Sequence, residues 1–254
     1  MQITFLGTGT SQGVPVIACD CKVCSSSSPF DKRLRSSVMI EVDGKRLIID
    51  AGPDFRQQML KEAVKDIDGI LITHEHKDHI GGLDDVRSFN YLRKKAVDIY
   101  GTEEVLQVIR SCYNYAFADE KYPGVPEMNL HLIRNEEFSA GGVQIIPVQA
   151  VHHRMPVFGY RIGAFAYLTD LSEITDKEIT KLSGAEIVVV AALRKKAHHS
   201  HMNLEQALEL IRKIKPRQAW LTHVSHLLGL HEEIERELPE GVRLAFDGLK
   251  IELK

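Results

Sequence analysis

This sequence lacks an excess of one charge, a long apolar run and a targeting segment at its start. Its 32 Lys and Arg residues against 35 Asp and Glu residues give a net charge of −3, so it offers no electrostatic basis for non-specific nucleic-acid binding. The longest apolar run, residues 187–193, is far shorter than the roughly 20 residues that cross a bilayer. The first residues show no charged segment followed by an apolar core. We therefore expect a cytoplasmic protein with no secretion signal, no membrane partner and no nucleic-acid partner.

Cysteine is also scarce, with four residues in 254, yet three of them, Cys19, Cys21 and Cys24, lie close together. In a cytoplasmic chain this crowding favours metal binding over disulfides. Three thiolates on one loop can bind a Zn²⁺ ion if a fourth ligand comes from elsewhere, and such a closed site is structural. The alternative is three free, buried thiols. The pattern predicts a zinc-binding loop at about residues 15–30.

The densest group of metal-type ligands lies in residues 73–79, with the sequence THEHKDH. It contains His74, His76, Asp78 and His79. An apolar run at residues 69–72 predicts a buried strand before it, and the segment from residue 83 predicts a helix after it. The ligands therefore lie on a loop past the carboxyl end of a strand, where α/β proteins place their chemistry. In an extended segment His74 and His76 point to the same side, and the following turn aims Asp78 and His79 at a second ion.

Other ligand-type residues also follow predicted strands. Asp50 ends the strand before the motif and is placed to orient a ligand histidine, with a helix cap as the alternative. In the second half of the chain these positions hold His152 and His153, Asp170, and His223. His198, His199 and His201 precede a helix that Asn203 and Gln206 are predicted to cap.

Strands followed by helices recur in each half of the chain, and 44% of the residues are hydrophobic, which supports a sizeable core. The length fits a single α/β domain over residues 1–254, built from two related lobes. Asp247 and Gly248 form a turn signal, which predicts a hairpin from residues 243–246 and 249–253. The aromatic segment 113–126 is predicted to be a lid or a homodimer contact, or alternatively to bury its aromatics in the core.

The motif at residues 73–79 resembles the signature of the metallo-β-lactamase superfamily, and the resemblance extends over the whole chain. It implies an α/β (α+β) fold, a four-layer αββα sandwich with one or two ions at the edge of the sheets. Residue by residue, it implies that one ion takes His74, His76 and His153, that the other takes Asp78, His79 and His223, and that Asp170 bridges them. His153 is preferred to His152 because its spacing to Phe158, Gly159 and Tyr160 matches the relevant subfamily.

That subfamily is the phosphoribosyl cyclic phosphodiesterases of the bacterial carbon–phosphorus lyase pathway. The chain resembles it in LGTG at residues 6–9, QGVP at 12–15, LTHVSH at 221–226 and FDG at 246–248, together with the cysteine motif. The resemblance implies that His226 completes the zinc site and that His201 is the catalytic proton donor, as an imidazolium. It also implies that Asp78 serves catalysis as a ligand. The expected reaction is hydrolysis of a small, cyclic ribose phosphodiester by a hydroxide held between two divalent ions, Zn²⁺ or Mn²⁺.

Three other functions share part of this pattern. A ribonuclease Z, which processes tRNA 3′ ends, shares the histidine motif, but the acidic net charge and the lack of a long basic arm argue against it. A non-hydrolytic protein related to pyrroloquinoline quinone assembly shares the cysteine motif, but the full ligand set argues against a degenerate site. Thioester or lactam hydrolysis has no counterpart of the cysteine motif.

Overall fold

The computed structural model describes residues 1–253, in which two β-sheets pack face to face. The strands are β1 Gln2–Gly7, β2 Ser37–Val42, β3 Lys45–Ile49, β4 Gly69–Leu71, β5 Val97–Gly101, β6 Met128–Leu132, β7 Phe138–Ala140, β8 Val143–His152, β9 Met155–Ile162, β10 Phe165–Leu168, β11 Ile187–Ala191, β12 Gln218–Thr222, β13 Val242–Leu244 and β14 Lys250–Glu252. The α-helices are α1 Phe55–Lys61, α2 Lys77–Ile80, α3 Arg87–Arg93, α4 Glu103–Cys112, α5 Asp176–Thr180, α6 Leu204–Ile214 and α7 His231–Glu237.

The two sheets have the same arrangement of antiparallel and parallel strands. The first has the strand order β14-β1-β2-β3-β4-β5-β6 and the second β13-β12-β11-β10-β9-β8-β7. In the first, β14 to β3 are antiparallel and β3 to β6 are parallel. In the second, β7 to β10 are antiparallel and β10 to β13 are parallel. The two related lobes expected from the sequence are therefore present.

Apolar side chains fill three layers, because the central strands are buried on both faces. Between the sheets lie residues such as Phe5, Tyr160 and Trp220. The outer face of the first sheet packs on α1, α3 and α4, and that of the second packs on α6 and α7. Within β11, Val188 faces the helices while Val189 faces the other sheet. The predicted four-layer αββα sandwich is confirmed.

Several local predictions differ from the structure in their details. The helix predicted to start at residue 83 begins as a 3-10 turn, Leu83–Val86, and continues as α3. Helix α6 has the predicted capping box, in which the Asn203 side chain accepts from Gln206 N and the Gln206 side chain accepts from Asn203 N. In the aromatic segment, Tyr113 is buried and donates to the Ile80 carbonyl at 2.7 Å, whereas Tyr122 is 82% exposed. That segment therefore combines a core anchor with an exposed tip.

The C-terminal hairpin prediction is wrong. Strand β13 joins the second sheet beside β12, and β14 joins the first sheet beside β1. Between them the chain crosses from one sheet to the other, because Asp247 is held by donors of the first lobe. Its carboxylate accepts from Thr8 Oγ1 at 2.7 Å and from Leu34 N at 2.6 Å. A turn signal indicates a reversal of the chain but not the sheet that the next strand will join.

Parallel strands bring their carboxyl ends to one edge of a sheet, and the loops with ligand-type residues follow β3, β4, β10 and β12 at such ends. Strand β8 adds His152 at its last position. In the described part of the chain, every helix is too short or too polar to span a bilayer.

Candidate metal centre

Histidine and aspartate side chains from both sheets converge at this edge. The His/Asp cluster comprises His74, His76, Asp78, His79, His152, Asp170 and His223. Its members form overlapping groups whose ligand atoms lie within 4.8 Å of one another. One group is His74, His76 and His152, and another is Asp78, His79 and His223. The motif at residues 73–79 thus supplies ligand atoms to both groups.

The first group is built around two atoms of the motif. His74 Nε2 and His76 Nδ1 are 3.1 Å apart. His152 closes the group from strand β8, and its Nδ1 donates to the Ser200 carbonyl at 2.7 Å. Because this bond fixes the proton on Nδ1, the Nε2 lone pair of His152 is free to bind a metal.

The structure corrects the choice between His152 and His153. His152 is buried beside His74 and His76, with ring centroids 5.7 and 5.2 Å away. His153 is exposed, lies in the turn after β8 with φ of 59°, and has its ring near His199. Strand β8 runs through His152, whose register partner on β9 is Met155. Adjacent residues at a strand end point in different directions, so only His152 joins the cluster.

The second group faces Asp170, which lies between the two sets of ligands. Asp170 Oδ2 is 3.2 Å from His79 Nε2, and Asp170 Oδ1 is 3.1 Å from His223 Nε2. Asp78 Oδ2 is 3.2 Å from His79 Nε2. Asp170 also belongs to a group with His74 and His79 and to one with His152 and His201. A carboxylate in this central position can bridge two cations.

Two buried nitrogens in this cluster have carboxylates near them but no well-formed hydrogen bond among residues 1–253. His79 Nε2 and His223 Nε2 lie 3.2 and 3.1 Å from Asp170, yet neither contact has hydrogen-bond geometry. An unsatisfied buried polar atom costs about 1–3 kcal/mol, so selection for folding alone would disfavour the arrangement. Imidazole and carboxylate ligands suit divalent transition metals. The residues present therefore fit the metal centre that the sequence predicts.

Asp50 holds His79 in place. Its carboxylate accepts from Thr73 N at 2.8 Å, from Thr73 Oγ1 and from His79 Nδ1 at 2.7 Å. The Nδ1 proton is thereby fixed, and His79 Nε2 points at Asp78 and Asp170. The side chain caps no helix, so the orienting contact expected from the sequence is the one present. Thr73 is a supporting residue that the sequence reasoning missed, although it starts the motif.

Burial and neighbouring charges shift the pKa values of several residues in this cluster. Burial lowers the pKa of His79, but Asp50, Asp170 and Asp78 outweigh it and raise the pKa well above its usual value. Burial raises the pKa of Asp170, but His223 and His79 outweigh it and hold the pKa well below its usual range. Burial lowers the pKa of His74. The carboxylates thus require positive charge beside them, and divalent ions would supply it in place of protons.

The backbone at these strand ends adopts an uncommon conformation. Asp50, Asp170 and His223 have φ of 65°, 51° and 54°, in the left-handed region that costs non-glycine residues about 1–3 kcal/mol. Gly52 allows a further close approach, since a Cβ there would lie 2.0 Å from the Asp78 carbonyl oxygen. The turn after β3 and the turn carrying Asp78 therefore pack backbone to backbone.

His201 lies beside the cluster on the loop that enters α6. Its Nδ1 is 3.4 Å from Asp170 Oδ1, and its ring stacks on His223 with centroids 5.1 Å apart. Burial, then His223, lowers the pKa of His201 to about 3. This shift favours the neutral ring over the imidazolium expected from the sequence, and the catalytic role of His201 stays a prediction.

The four residues of the expected zinc site also come together. Cys19, Cys21 and Cys24 place their Sγ atoms 3.2, 3.3 and 3.5 Å from His226 Nδ1. Val16 N donates to Cys24 Sγ at 3.3 Å. A backbone bond from Cys24 and a side-chain bond to His226 lower the pKa of Cys21 to about 6, whereas burial raises that of Cys24 to about 11. A Zn²⁺ ion would let all three thiols ionise together.

Known proteins resemble this chain in sequence and in structure. A family described as "Beta-lactamase superfamily domain" matches residues 45–224. A solved structure described as "a New Diphosphatase from the PhnP Family" is 43% identical, with a TM-score of 0.93, and the match covers 100% of this chain and 98% of that one.

Many relatives match by sequence, and two of them illustrate the range. An octanoyltransferase of Porphyromonas gingivalis is 40% identical over 98% of this chain and 51% of its own length. A ribonuclease Z of Nostoc is 32% identical over 64% of this chain and 46% of its own length. The chain thus spans about half the length of these two relatives. The family match and the coverage of the diphosphatase show that this chain belongs to the β-lactamase superfamily and, within it, to the PhnP family.

Proposed function

We propose that this protein hydrolyses small phosphodiesters at a two-metal centre. The observation that carries the proposal is the position of Asp170, which lies between two complete sets of ligands. We assign His74, His76 and His152 to one ion, Asp78, His79 and His223 to the other, and Asp170 to both. Two divalent ions, Zn²⁺ or Mn²⁺, supply an activated water and positive charge for the phosphoryl oxygens.

The chain's own residues prepare this centre. Asp50 fixes the tautomer of His79, and the Ser200 carbonyl fixes that of His152. His201 is the nearby imidazole that neither ligand set needs, and it lies within 3.4 Å of the shared carboxylate. From this position we propose that the ring donates an N–H hydrogen bond to the leaving oxygen. Burial and His223 lower its pKa to about 3, which is consistent with a neutral ring.

We further propose that Cys19, Cys21, Cys24 and His226 bind one structural Zn²⁺ ion. The cysteine loop then joins the strand end that carries His223, three residues before His226. Ligands come from both halves of the chain, which supports our view of residues 1–254 as one domain. Cytoplasmic localisation and a homodimer contact through residues 113–126 remain predictions from the sequence.

The first substrate we propose is a cyclic ribose phosphodiester, because the motifs at residues 6–15 and 246–248 resemble those of the phosphoribosyl cyclic phosphodiesterases. A diphosphate diester is the second candidate, because the PhnP-family structure that matches the whole chain is described as a diphosphatase. Both reactions break a P–O bond of an anionic diester, so the same residues serve both. Octanoyl transfer is not proposed, because that name belongs to a protein about twice the length of the match.

A substrate panel tests the proposal. Metal-loaded protein should hydrolyse bis(p-nitrophenyl) phosphate, with little turnover of nitrocefin or a thioester. Faster turnover of either of those would contradict a phosphodiesterase. Among phosphodiesters, 5-phosphoribosyl 1,2-cyclic phosphate and a dinucleoside diphosphate then separate the two candidates. A precursor tRNA completes the panel, and we expect no 3′ trimming, since the net charge is −3 and residues 1–253 present no long basic arm.

A further inference from the structure

A cavity of about 430 Å³ opens beside the His/Asp cluster. Its size is within the range of small-molecule sites, about 300–1,000 Å³. It shares two residues of that cluster and adds five from the β8–β9 turn and the loop before α6. The lining residues are His76, His152, His153, Arg154, Met155, His199 and Ser200. A molecule bound in the cavity would therefore contact the residues assigned to the first ion.

The walls of the cavity carry positive charge and hydrogen-bond donors. None of the lining residues is an Asp or Glu. Arg154 is exposed and has no carboxylate within 4.0 Å among residues 1–253. Two nearby basic residues are engaged elsewhere, since Lys195 pairs with Glu237 at 2.8 Å and Arg194 donates to the Ala197 carbonyl at 2.7 Å. Arg154 is thus the guanidinium that remains available to a ligand.

Hydrogen bonds fix the position of both walls of the cavity. The register of His152 with Met155 leaves His153 and Arg154 as a two-residue turn. His153 N donates to Ser172 Oγ at 3.1 Å, and the residue keeps a φ of 59° where a glycine would be unstrained. On the other wall, the Ser200 carbonyl is bound to His152. The rings of His153 and His199 approach to 5.6 Å across the mouth.

We propose that His153, Arg154 and His199 bind a second phosphoryl group of the substrate, next to the group that is hydrolysed. The inference rests on the proposed function and assigns residues to the second phosphate that both of its candidate substrates carry. Two sources share this chemistry, namely a 5-phosphate on a cyclic ribose phosphate and the second phosphate of a diphosphate diester. A guanidinium binds phosphate oxygens in bidentate fashion, and imidazole N–H groups add directed donors.

Matched substrates test the proposal. The pairs are ribose 1,2-cyclic phosphate with and without a 5-phosphate, and di(adenosine-5′) diphosphate against bis(p-nitrophenyl) phosphate. Arg154→Gln should lower kcat/KM on a substrate with two phosphates by about 10–100-fold, the effect of losing hydrogen bonds to a charged group. The loss should appear mainly in KM, and the loss on the singly phosphorylated partner should be at least tenfold smaller. Arg154→Lys should restore only part, because an ammonium cannot bind in bidentate fashion.

The control is Arg217→Gln, which removes an arginine from the opposite end of β12, where it pairs with Glu186. It should leave both members of each pair unchanged. The pair that responds to Arg154→Gln identifies the source of the phosphate. Equal losses within both pairs, or no loss in either, would overturn the proposal.

Calorimetry separates failure of the inference from failure of the proposed function. If the wild-type protein hydrolysed no phosphodiester, the proposed function would be refuted. Binding of ribose 5-phosphate to the metal-loaded protein, measured by calorimetry, would then test the phosphate site in the cavity independently. A tenfold weaker Kd in Arg154→Gln would support the phosphate site. An unchanged Kd would overturn it.

Discussion

The His/Asp cluster and the Cys/His cluster (Cys19, Cys21, Cys24 and His226) differ in how their ligands are held. Ligands of the first lie at strand ends or on the short helix α2, and two of its imidazoles are oriented by the hydrogen bonds that they donate to Asp50 and to the Ser200 carbonyl. The three cysteines of the second lie on an irregular loop and His226 follows strand β12, and Cys19, Cys21 and His226 are only half-buried. In our proposal the first would position a reactive centre on rigid elements, whereas the second would use one ion to fix a loop that lacks secondary structure of its own.

The two clusters also differ in the number of ligands they offer and in the open space beside them. The Cys/His cluster has four ligand residues, a full tetrahedral set that leaves no open position. The His/Asp cluster has seven ligand residues for two ions and borders a cavity of about 430 Å³. Only the second arrangement leaves room for substrate beside the metals. Removal of ligands should therefore affect chemistry at one cluster and stability at the other.

The largest expected effect is loss of activity on chelation. The His/Asp cluster borders an open cavity, so a chelator should remove the ions proposed there before the zinc proposed for the Cys/His cluster. Phosphodiesterase activity should fall to background, a loss of at least about 10⁴-fold given the size of typical metal-assisted accelerations. Circular dichroism should show the fold intact, and added Zn²⁺ or Mn²⁺ should restore the rate. Unfolding that accompanies the loss of activity would show that both clusters are structural.

The next effect distinguishes His152 from His153. His152→Ala should remove one of the two ions and lower kcat by more than the roughly 10–100-fold that loss of a supporting hydrogen bond costs. His153→Ala is the matched control for metal content and should retain both ions. Elemental analysis measures both variants. A normal metal content in His152→Ala would return the ligand role to His153.

His201→Ala should lower the rate by about 10²–10³-fold on substrates with a poor leaving group, the usual cost of one lost transition-state donor. Bis(p-nitrophenyl) phosphate should be less affected, because p-nitrophenolate leaves readily. Burial and His223 lower the pKa of His201 to about 3, so its protonated form is lost well below neutral pH. Wild type and variant should thus have pH–rate profiles of the same shape between pH 6 and 8. A decline towards high pH in the wild type alone would show that an imidazolium acts.

Asp50→Asn should have a smaller effect, about 10–100-fold on metal affinity or activity. The amide retains the shape of the carboxylate but cannot offer both oxygens to Thr73 and His79, so His79 loses its fixed tautomer. Metal titration followed by activity measures the change. An unaltered metal affinity would mean that packing alone orients His79.

Much of this site was predictable because four ligands lie in one short motif, and their strand-end position follows from the apolar run before it. The choice between His152 and His153 was not, since it depends on where β8 ends and its turn begins. Ser200 gives no signal in the sequence, because its backbone carbonyl makes the contact. The path of residues 245–249 depends on hydrogen bonds from Thr8 and Leu34, which are far away in the chain.

The smallest effect on chemistry should come from the Cys/His cluster. Cys21→Ser removes one thiolate, so the zinc content should fall by one ion and the cysteine loop should loosen. For a protein of this size, a loss of about 3 kcal/mol lowers Tm by roughly 6–12 °C. The rate should fall less than tenfold, because His226 is separated from His223 by two residues and the loosened loop disturbs that strand end only indirectly. Cys112→Ser is the matched control, since Cys112 lies on α4 outside both clusters, and it should keep its zinc and its Tm. A Cys21→Ser variant that kept both would show that the cysteines are ordinary thiols, and one that lost activity without losing stability would place this cluster in catalysis.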